Sequence, residues 1–248
     1  MSFMFKPYEI FIGLRYMRAK RRNQFISIIS LISILGIAIG VMALITVLSV
    51  MNGFQKELTD RTLGMASHAT VLEANENLSD WRSVANQIES HPEILGVAPY
   101  FRAEGMLVNS KQVSGTVIRG ILPEEEAKVS VIGEKMVEGE FENLKAGEFG
   151  IILGKELSHT LHVIIGDKVT LVAPQANVTP AGILPRLKRF TVVGVFEIGM
   201  QEFDGALALI HLQDAQKLFR KNGPSGLRLK TADIMKAPII SREVMANI

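Results

Sequence analysis

Glu156, His159 and His162 come nearest to a chemical constellation in this chain of 248 residues. Steps of three keep one side of a helix, so in "GKELSHTLHV" a carboxylate and two imidazoles could face one metal ion. A structural metal site needs a fourth ligand, and none stands nearby in the sequence. The simpler reading is a solvated helix face, and no metal is expected. "GEFGIILGKE" approaches a phosphate-binding loop, but Phe149 stands where the first glycine belongs and Glu156 where the hydroxyl belongs. No GxSxG or comparable nucleophile setting occurs. Glu124, Glu125 and Glu126 follow Pro123 and are placed to meet the positive end of a helix. A basic patch laced with aromatic residues, the mark of a nucleic-acid surface, is also missing. The expectation is a binding device: no catalytic residue, no cofactor bound by this chain, no nucleic acid.

One stretch suits binding. In "APQANVTPAGILPRLKR", residues 173–189, Pro174, Pro180 and Pro185 fall within twelve residues, between two segments that read as strands. Val178, Ile183 and Leu184 follow neither a helical nor a strand period. Proline fixes φ, so such a loop loses less entropy on binding than a flexible one. From Lys168 to Phe196 there are four basic residues and no acid, which makes the base of the loop electropositive. The competing reading is a hairpin loop packed on its own domain.

The elements that position this loop begin with a charge asymmetry. The net charge of +2 averages two opposite populations. Residues 1–24 hold six basic residues against Glu9 alone, leaving 21 of the 27 basic and 24 of the 25 acidic residues from Lys56 onward. Between them, Asn23 to Gln55 carries no charge, and Phe25 to Met51 is almost wholly apolar. About 20 such residues cross a bilayer, whereas the apolar core of a signal peptide runs only about 7–15. The spacing predicts a transmembrane helix over 25–51, and the basic flank puts the N-terminus in the cytoplasm and the remainder outside. Absence of cysteine is compatible with an oxidising compartment. Ile10, Phe11, Leu14 and Met17 recur at helical spacing opposite Arg15, Arg18 and Arg22, so residues 1–24 read as an amphipathic helix in the headgroup layer; a merely basic topogenic flank needs the same charges.

Within the span, Ser33, Gly36, Gly40 and Ala43 form one stripe of small residues. Small residues admit another helix, or an acyl chain, close to the backbone. Residues 52–68 continue the helical period as a stalk. Beyond them, "HATVLEA" reads as a strand, "LSDWRSVANQIESHP" as a helix, and "ILGVAPYFRAEGMLVN" and "QVSGTVIRGI" as strands joined at Asn109–Lys111. Short glycine-punctuated pieces follow from about residue 130, then strand, helix, strand ("GLRLK") and a last helix. The fold class is α+β: a split α/β subdomain (69–129 and 200–248) carrying an inserted, mostly β subdomain (130–199) from which a hook (173–186) protrudes. "GLRLK" is expected to rejoin the sheet begun at 68–73.

"FIGLRYMRAKRR", "GIAIGVMALITVLSVMNGFQKEL" and "VAPQANVTPAGILPRLKRFTVVG" together resemble the membrane subunits of the lipoprotein-releasing (Lol) transporter of Gram-negative inner membranes, over essentially the whole chain. "GDKVTLV" is shared with the broader macrolide-exporter-like ABC permeases. The resemblance implies a non-catalytic permease subunit in the bacterial inner membrane, its main domain periplasmic. Its implied partners are a cytoplasmic ABC ATPase that uses ATP and Mg, a second permease subunit (same or related), lipoprotein substrates, membrane lipid and a periplasmic lipoprotein carrier. It further implies that Pro174, Val178, Pro180, Ile183, Leu184 and Pro185 form a hook inserted into the carrier, that Thr170, Leu187 and Lys188 form a supporting pad, and that Ala43 lies near the lipid moiety. The family has arginine, glutamine and arginine at the pad. Here Lys188 keeps a charge, with Arg186 and Arg189 as alternatives. The family continues past Ile248 with three more spans, so the resemblance implies a fragment or a truncated chain. Two other classes compete: a non-transporting mechanotransmission permease, in which the hook has no evident role, and a single-span sensor, in which the small stripe has none.

Overall fold

The computed structural model describes residues 8, 11–13, 15, 24–65, 69–72, 78, 80–179 and 182–247. The chain divides into two units, Met1–Thr59 and Asp60–Ile248. In the first, helix α1 (Gln24–Met65) runs 42 residues without interruption, about 63 Å at 1.5 Å per residue. The expected span and stalk are therefore one helix as far as Met65. Within Ile28–Gln55 an 18-residue window has a mean hydropathy of 2.8, and none of that window is buried by the described residues; a helix apolar all round needs an apolar solvent. Of the expected interfacial helix, Tyr8, Phe11, Ile12, Gly13 and Arg15 are described and helical; the rest lies outside the described residues.

The second unit contains β1 (Ala69–Leu72), α2 (Trp81–Glu89), β2 (Ile94–Asn109), β3 (Gln112–Ile121), α3 (Pro123–Val129), β4 (Met136–Gly139), β5 (Gly150–Gly154), α4 (Lys155–Leu161), β6 (Lys168–Thr179), β7 (Gly182–Phe196), α5 (Gln201–Asp204), β8 (Leu207–His211), α6 (Leu212–Phe219), β9 (Gly226–Thr231) and α7 (Ala237–Asn247). Alternation along β2 and β3 reflects one covered face each, and they pair from Tyr100↔Ile121 to Asn109↔Gln112 across the expected turn. β3 pairs with β8, β8 with β5, β5 with β7, β7 with β6, and β6 returns to β2 at Val108↔Thr170. Six strands thus close a mixed barrel, which removes their free edges. β9 joins β2 and carries β1, so "GLRLK" does rejoin the first strand, and β4 extends β7.

Inward-facing Phe101, Leu107, Ile118, Leu171, Phe190 and Val192 fill the barrel with Leu157 and Leu161 of α4 and Leu218 and Phe219 of α6. Each such large side chain, fully buried, contributes about 1.5–3 kcal/mol. A second core on the opposite face gathers Ile121, Ile132, Phe141, Ile152, Phe196 and Leu209. A third unites Val71, Ile88, Val97, Leu229, Ile240 and Val244 from β1, α2, β2, β9 and α7, drawing together the two sequence segments expected to form the split α/β part. The expected insert, 130–199, has no sheet of its own: β8 follows it in sequence and lies between β3 and β5. The reason is the parallel β3–β8 pairing, a contact between distant segments that no local pattern announces.

Candidate partner-binding hairpin and its root

The proline-rich stretch is not an irregular loop. β6 and β7 continue through it as an antiparallel ribbon, with Ala176↔Pro185, Asn177↔Leu184, Val178↔Ile183 and Thr179↔Gly182 opposed. Pro180 lies outside the described residues. Proline lacks an N–H and is confined in sheets to edges and bulges. Here Pro174 falls in a register shift between Ala173 and Ala176. β6 pairs with β2 at Thr170–Val172, and β7 with β5 from Thr191, so among the described residues from Ala173 to Pro185 the two strands pair only with each other. From Ala173 to Thr179 the ribbon extends roughly 20 Å at 3.3 Å per residue. Pro174 and Pro185 are exposed.

The three pad residues do not share a face. Side chains of directly opposed residues point the same way, and Thr170↔Arg189 and Val172↔Leu187 are such pairs. Thr170, Leu187 and Arg189 therefore lie on the outer face, where Leu187 is 59% exposed. Val172 is directly opposed to Met106, itself 46% exposed, so the outer face continues onto β2. Lys188 alternates with them and follows the inward line of Phe190 and Val192. Its Nζ sits 3.7 Å from the centroid of the Phe149 ring.

Phe149 is a site residue that motif reasoning missed. Its φ of 53° is left-handed, a conformation rare for aromatic residues. Two bonds hold it there: the Gly147 N–H donates to Asp214 Oδ1 (2.9 Å) and the Phe149 N–H to Oδ2 (3.1 Å). Asp214 is fully buried in the first turn of α6. The Phe149 ring meets Phe190 edge-on at 5.6 Å. Around this platform opens a groove of about 440 Å³ that also includes Pro185 and Leu218. Lys217 stands 6.0 Å from the same ring and 3.9 Å from Asp214. No sequence signal joins residue 149 to 214; only folding does.

A larger cavity, about 610 Å³, lies beside Trp81, Pro123, Glu142 and His211 and includes none of the expected site residues. His211 caps α6 by accepting the Gln213 N–H on Nδ1 (3.2 Å). Burial lowers its pKa, against the opposing pull of Asp214. Under α3, Arg228 and Glu126 form a buried pair. Burial, then the Arg228 guanidinium, lower the neighbouring Arg119 to about 10.

Glu156, His159 and His162, where no metal was expected, do not all stand on one helix. α4 ends at Leu161, and His162 is its left-handed cap with φ of 52°, so the three-residue step does not reach it. Among the described residues no cluster of three His, Cys, Asp or Glu could hold a metal. Ser33, Gly36, Gly40 and Ala43 all lie exposed on α1. The Ser33 hydroxyl donates to the Ile29 carbonyl at 2.8 Å, and a Cβ placed on Gly36 or Gly40 would meet nothing within 4 Å.

An apolar membrane-length helix joined in sequence to an α+β barrel defines a class, the membrane-tethered domain. Residues 30–244 match the model of the MacB-like periplasmic core domain, and the chain belongs to that family. It is 50% identical over 234 residues to the lipoprotein-releasing system transmembrane protein LolC of Neisseria meningitidis, covering 94% of this chain and 56% of that protein. It is 46% identical to LolC of Xylella fastidiosa (99% and 59%) and 30% identical to the corresponding LolE of Haemophilus influenzae (92% and 56%). The chain thus spans little more than half the length of these curated relatives. Among solved structures, the periplasmic region of MacB from Actinobacillus actinomycetemcomitans is 14% identical with a TM-score of 0.46, covering 72% of this chain and 73% of that one. The resemblance read from the three quoted stretches is the one these relatives carry in name.

Proposed function

We propose that this chain belongs to a non-catalytic permease subunit of an ATP-driven system that releases lipoproteins from the bacterial inner membrane. In this reading the N-terminus is cytoplasmic, α1 crosses the membrane and the barrel is periplasmic. ATP and Mg act on a separate cytoplasmic ATPase, and a second permease subunit, the same or related, meets the small stripe of α1 or shares a lipid there. The ribbon 174–185 engages a soluble periplasmic lipoprotein carrier. The observation that carries the reading is 50% identity, over 94% of the chain, to a protein named for lipoprotein release. The strand register supports one change in the pad: Arg189, on the face of Thr170 and Leu187, supplies the charge there in place of Lys188.

The test uses the full chain in lipid nanodiscs and the purified carrier. Replacing residues 174–185 by Gly and Ser at equal length should abolish carrier binding and leave the melting temperature nearly unchanged, because the ribbon adds little to the core. Ile183→Asp should weaken binding by about 1–3 kcal/mol, the cost of a polar group desolvated with partial compensation. A swapped chain that binds the carrier as tightly as the parent would overturn the reading.

A further inference from the structure

The cavity beside Trp81 takes no part in the hairpin, and it holds a donor that nothing receives. His211 ends β8 and is only 8% exposed. Its Nδ1 accepts the Gln213 N–H at 3.2 Å, so the neutral ring carries its proton on Nε2. Burial favours that neutral form. Among the described residues nothing accepts from Nε2, and the ring lines the cavity of about 610 Å³. Leu122, Glu124 and Ala127 reach the same space from α3 and the residue before it, and Glu142 and Leu144 from the segment after β4. Among the described residues neither Glu124 nor Glu142 has a basic partner within 4 Å. A second hollow of about 320 Å³ shares Trp81, Arg82 and Glu125 with the first, so the tryptophan is a rib between two lobes of one cleft. Two of the cleft's cations are already engaged: Arg82 lies 5.0 Å from the centroid of the indole ring, and Lys128 is bonded to Glu125 at 2.6 Å.

We propose that this cleft binds an extended peptide segment of another protein, one that carries a basic residue beside apolar ones. Three observations commit the occupant. A neutral N–H at His211 suits a backbone carbonyl, whereas a carboxylate or phosphate in the same space would meet Glu124 and Glu142 as like charges. Those two carboxylates, without partners of their own, suit a lysine or arginine side chain. Two lobes divided by one rib suit successive side chains of a strand, and a small solute would fill only one of them. Trp81, Leu122 and Leu144 supply the apolar contact. The inference does not depend on the ribbon or on what the ribbon binds.

The experiment uses the full chain in zwitterionic nanodiscs and the emission of Trp81, the sole tryptophan, which lines both lobes. The probes are acetyl-Ala-X-Lys-X-Ala-amide peptides with X as Leu, Ile, Val or Phe, the same peptides with Glu in place of Lys, and lysinamide alone. At least one lysine peptide should shift the emission saturably, and its glutamate twin should bind at least about tenfold more weakly. Ala127→Phe places a ring in the cavity from an exposed position and should weaken binding at least about tenfold. Glu124→Gln/Glu142→Gln should remove the preference for lysine. Both variants should melt as the parent does, since all three positions are exposed. If no lysine peptide changes the emission, or if Ala127→Phe binds as tightly as the parent, the cleft is not a peptide site. Equal affinity for the lysine and glutamate peptides overturns the basic residue and the proposal with it. Lysinamide that binds as tightly as the peptides makes the cleft a site for small amines and overturns peptide docking.

Discussion

Asp214→Ala removes the post on which the hairpin root stands. The carboxylate accepts two N–H groups, at 2.9 and 3.1 Å, from a turn 65 and 67 residues away. A hydrogen bond to a charged group contributes about 1.5–3 kcal/mol, and an orphaned buried donor costs a comparable amount. Since Gly147 and Phe149 can regain some water, about 3–4 kcal/mol in total is the reasoned loss. Strain at Phe149, whose φ is 53°, adds to it, although its carbonyl keeps the bond from the Thr191 N–H at 3.0 Å. The groove, lined by Arg186, Lys188, Lys217 and Arg220, also loses the buried negative charge of Asp214 beneath it. For a unit of this size each kcal/mol shifts the melting temperature by about 2–4 °C, so a drop near 10 °C is expected. Trp81 is the sole tryptophan, and its fluorescence during urea unfolding measures the change directly. Asp214→Asn, which keeps one acceptor, should fall between parent and alanine variant. A loss below about 1 kcal/mol for Asp214→Ala would refute the reasoning, since the turn would then be held by something else.

Glu126→Gln removes the buried carboxylate that pairs with Arg228 and lies near Arg119, and should cost about 3–5 kcal/mol in the same unfolding assay. His211→Asn keeps an α6 cap but removes a titration. The folded pKa of His211 lies below its unfolded value, so the parent owes this group a stability that is present above the unfolded pKa, near 6.5, and fades as pH falls through the folded one. The variant should flatten the stability profile in that acid window, and an unchanged slope would refute the assignment. At Gly40 an added Cβ meets no described atom within 4 Å, and Gly40→Leu gains helix propensity of about 1 kcal/mol. Insertion should be normal and lipoprotein release in a complete transporter lost; full activity would reduce the stripe to an anchor.

What could be read from sequence was local. The charge-free run from Asn23 to Gln55 has one physical meaning at that length, and the alternation of β2 and β3 fixes both strands and their turn. What could not be read was pairing at a distance. Closure of the barrel depends on β6 meeting β2 at only three residue pairs, and Phe149 meets Asp214 only once α6 is packed. A stricter use of period would have refined the pad. "RLKRF" alternates toward a core phenylalanine, which separates Lys188 from Leu187 and joins Leu187 to Arg189. The three-residue steps from Glu156 to His162 run past the end of their helix at Leu161. The prolines misled differently: they suggested an irregular loop, although proline interrupts a strand only where its missing N–H or its ring would meet a ladder partner.

That distinction bears on why the ribbon is built as it is. Two strands alone in water are marginal, and free edges invite pairing with other chains. A pliant loop would avoid the hazard but would lose more entropy on docking. Proline in a paired ribbon meets both demands, because it stiffens the backbone and withholds donors from the exposed edges. The register shift at Pro174–Gln175 interrupts the ladder where the ribbon leaves the barrel. The ribbon is therefore stiff along its length, and what orients it is its attachment at the root, where Arg186 is bonded to the Leu218 carbonyl and Lys188 rests on Phe149. A change at Asp214 should consequently alter partner binding even though no part of Asp214 is exposed.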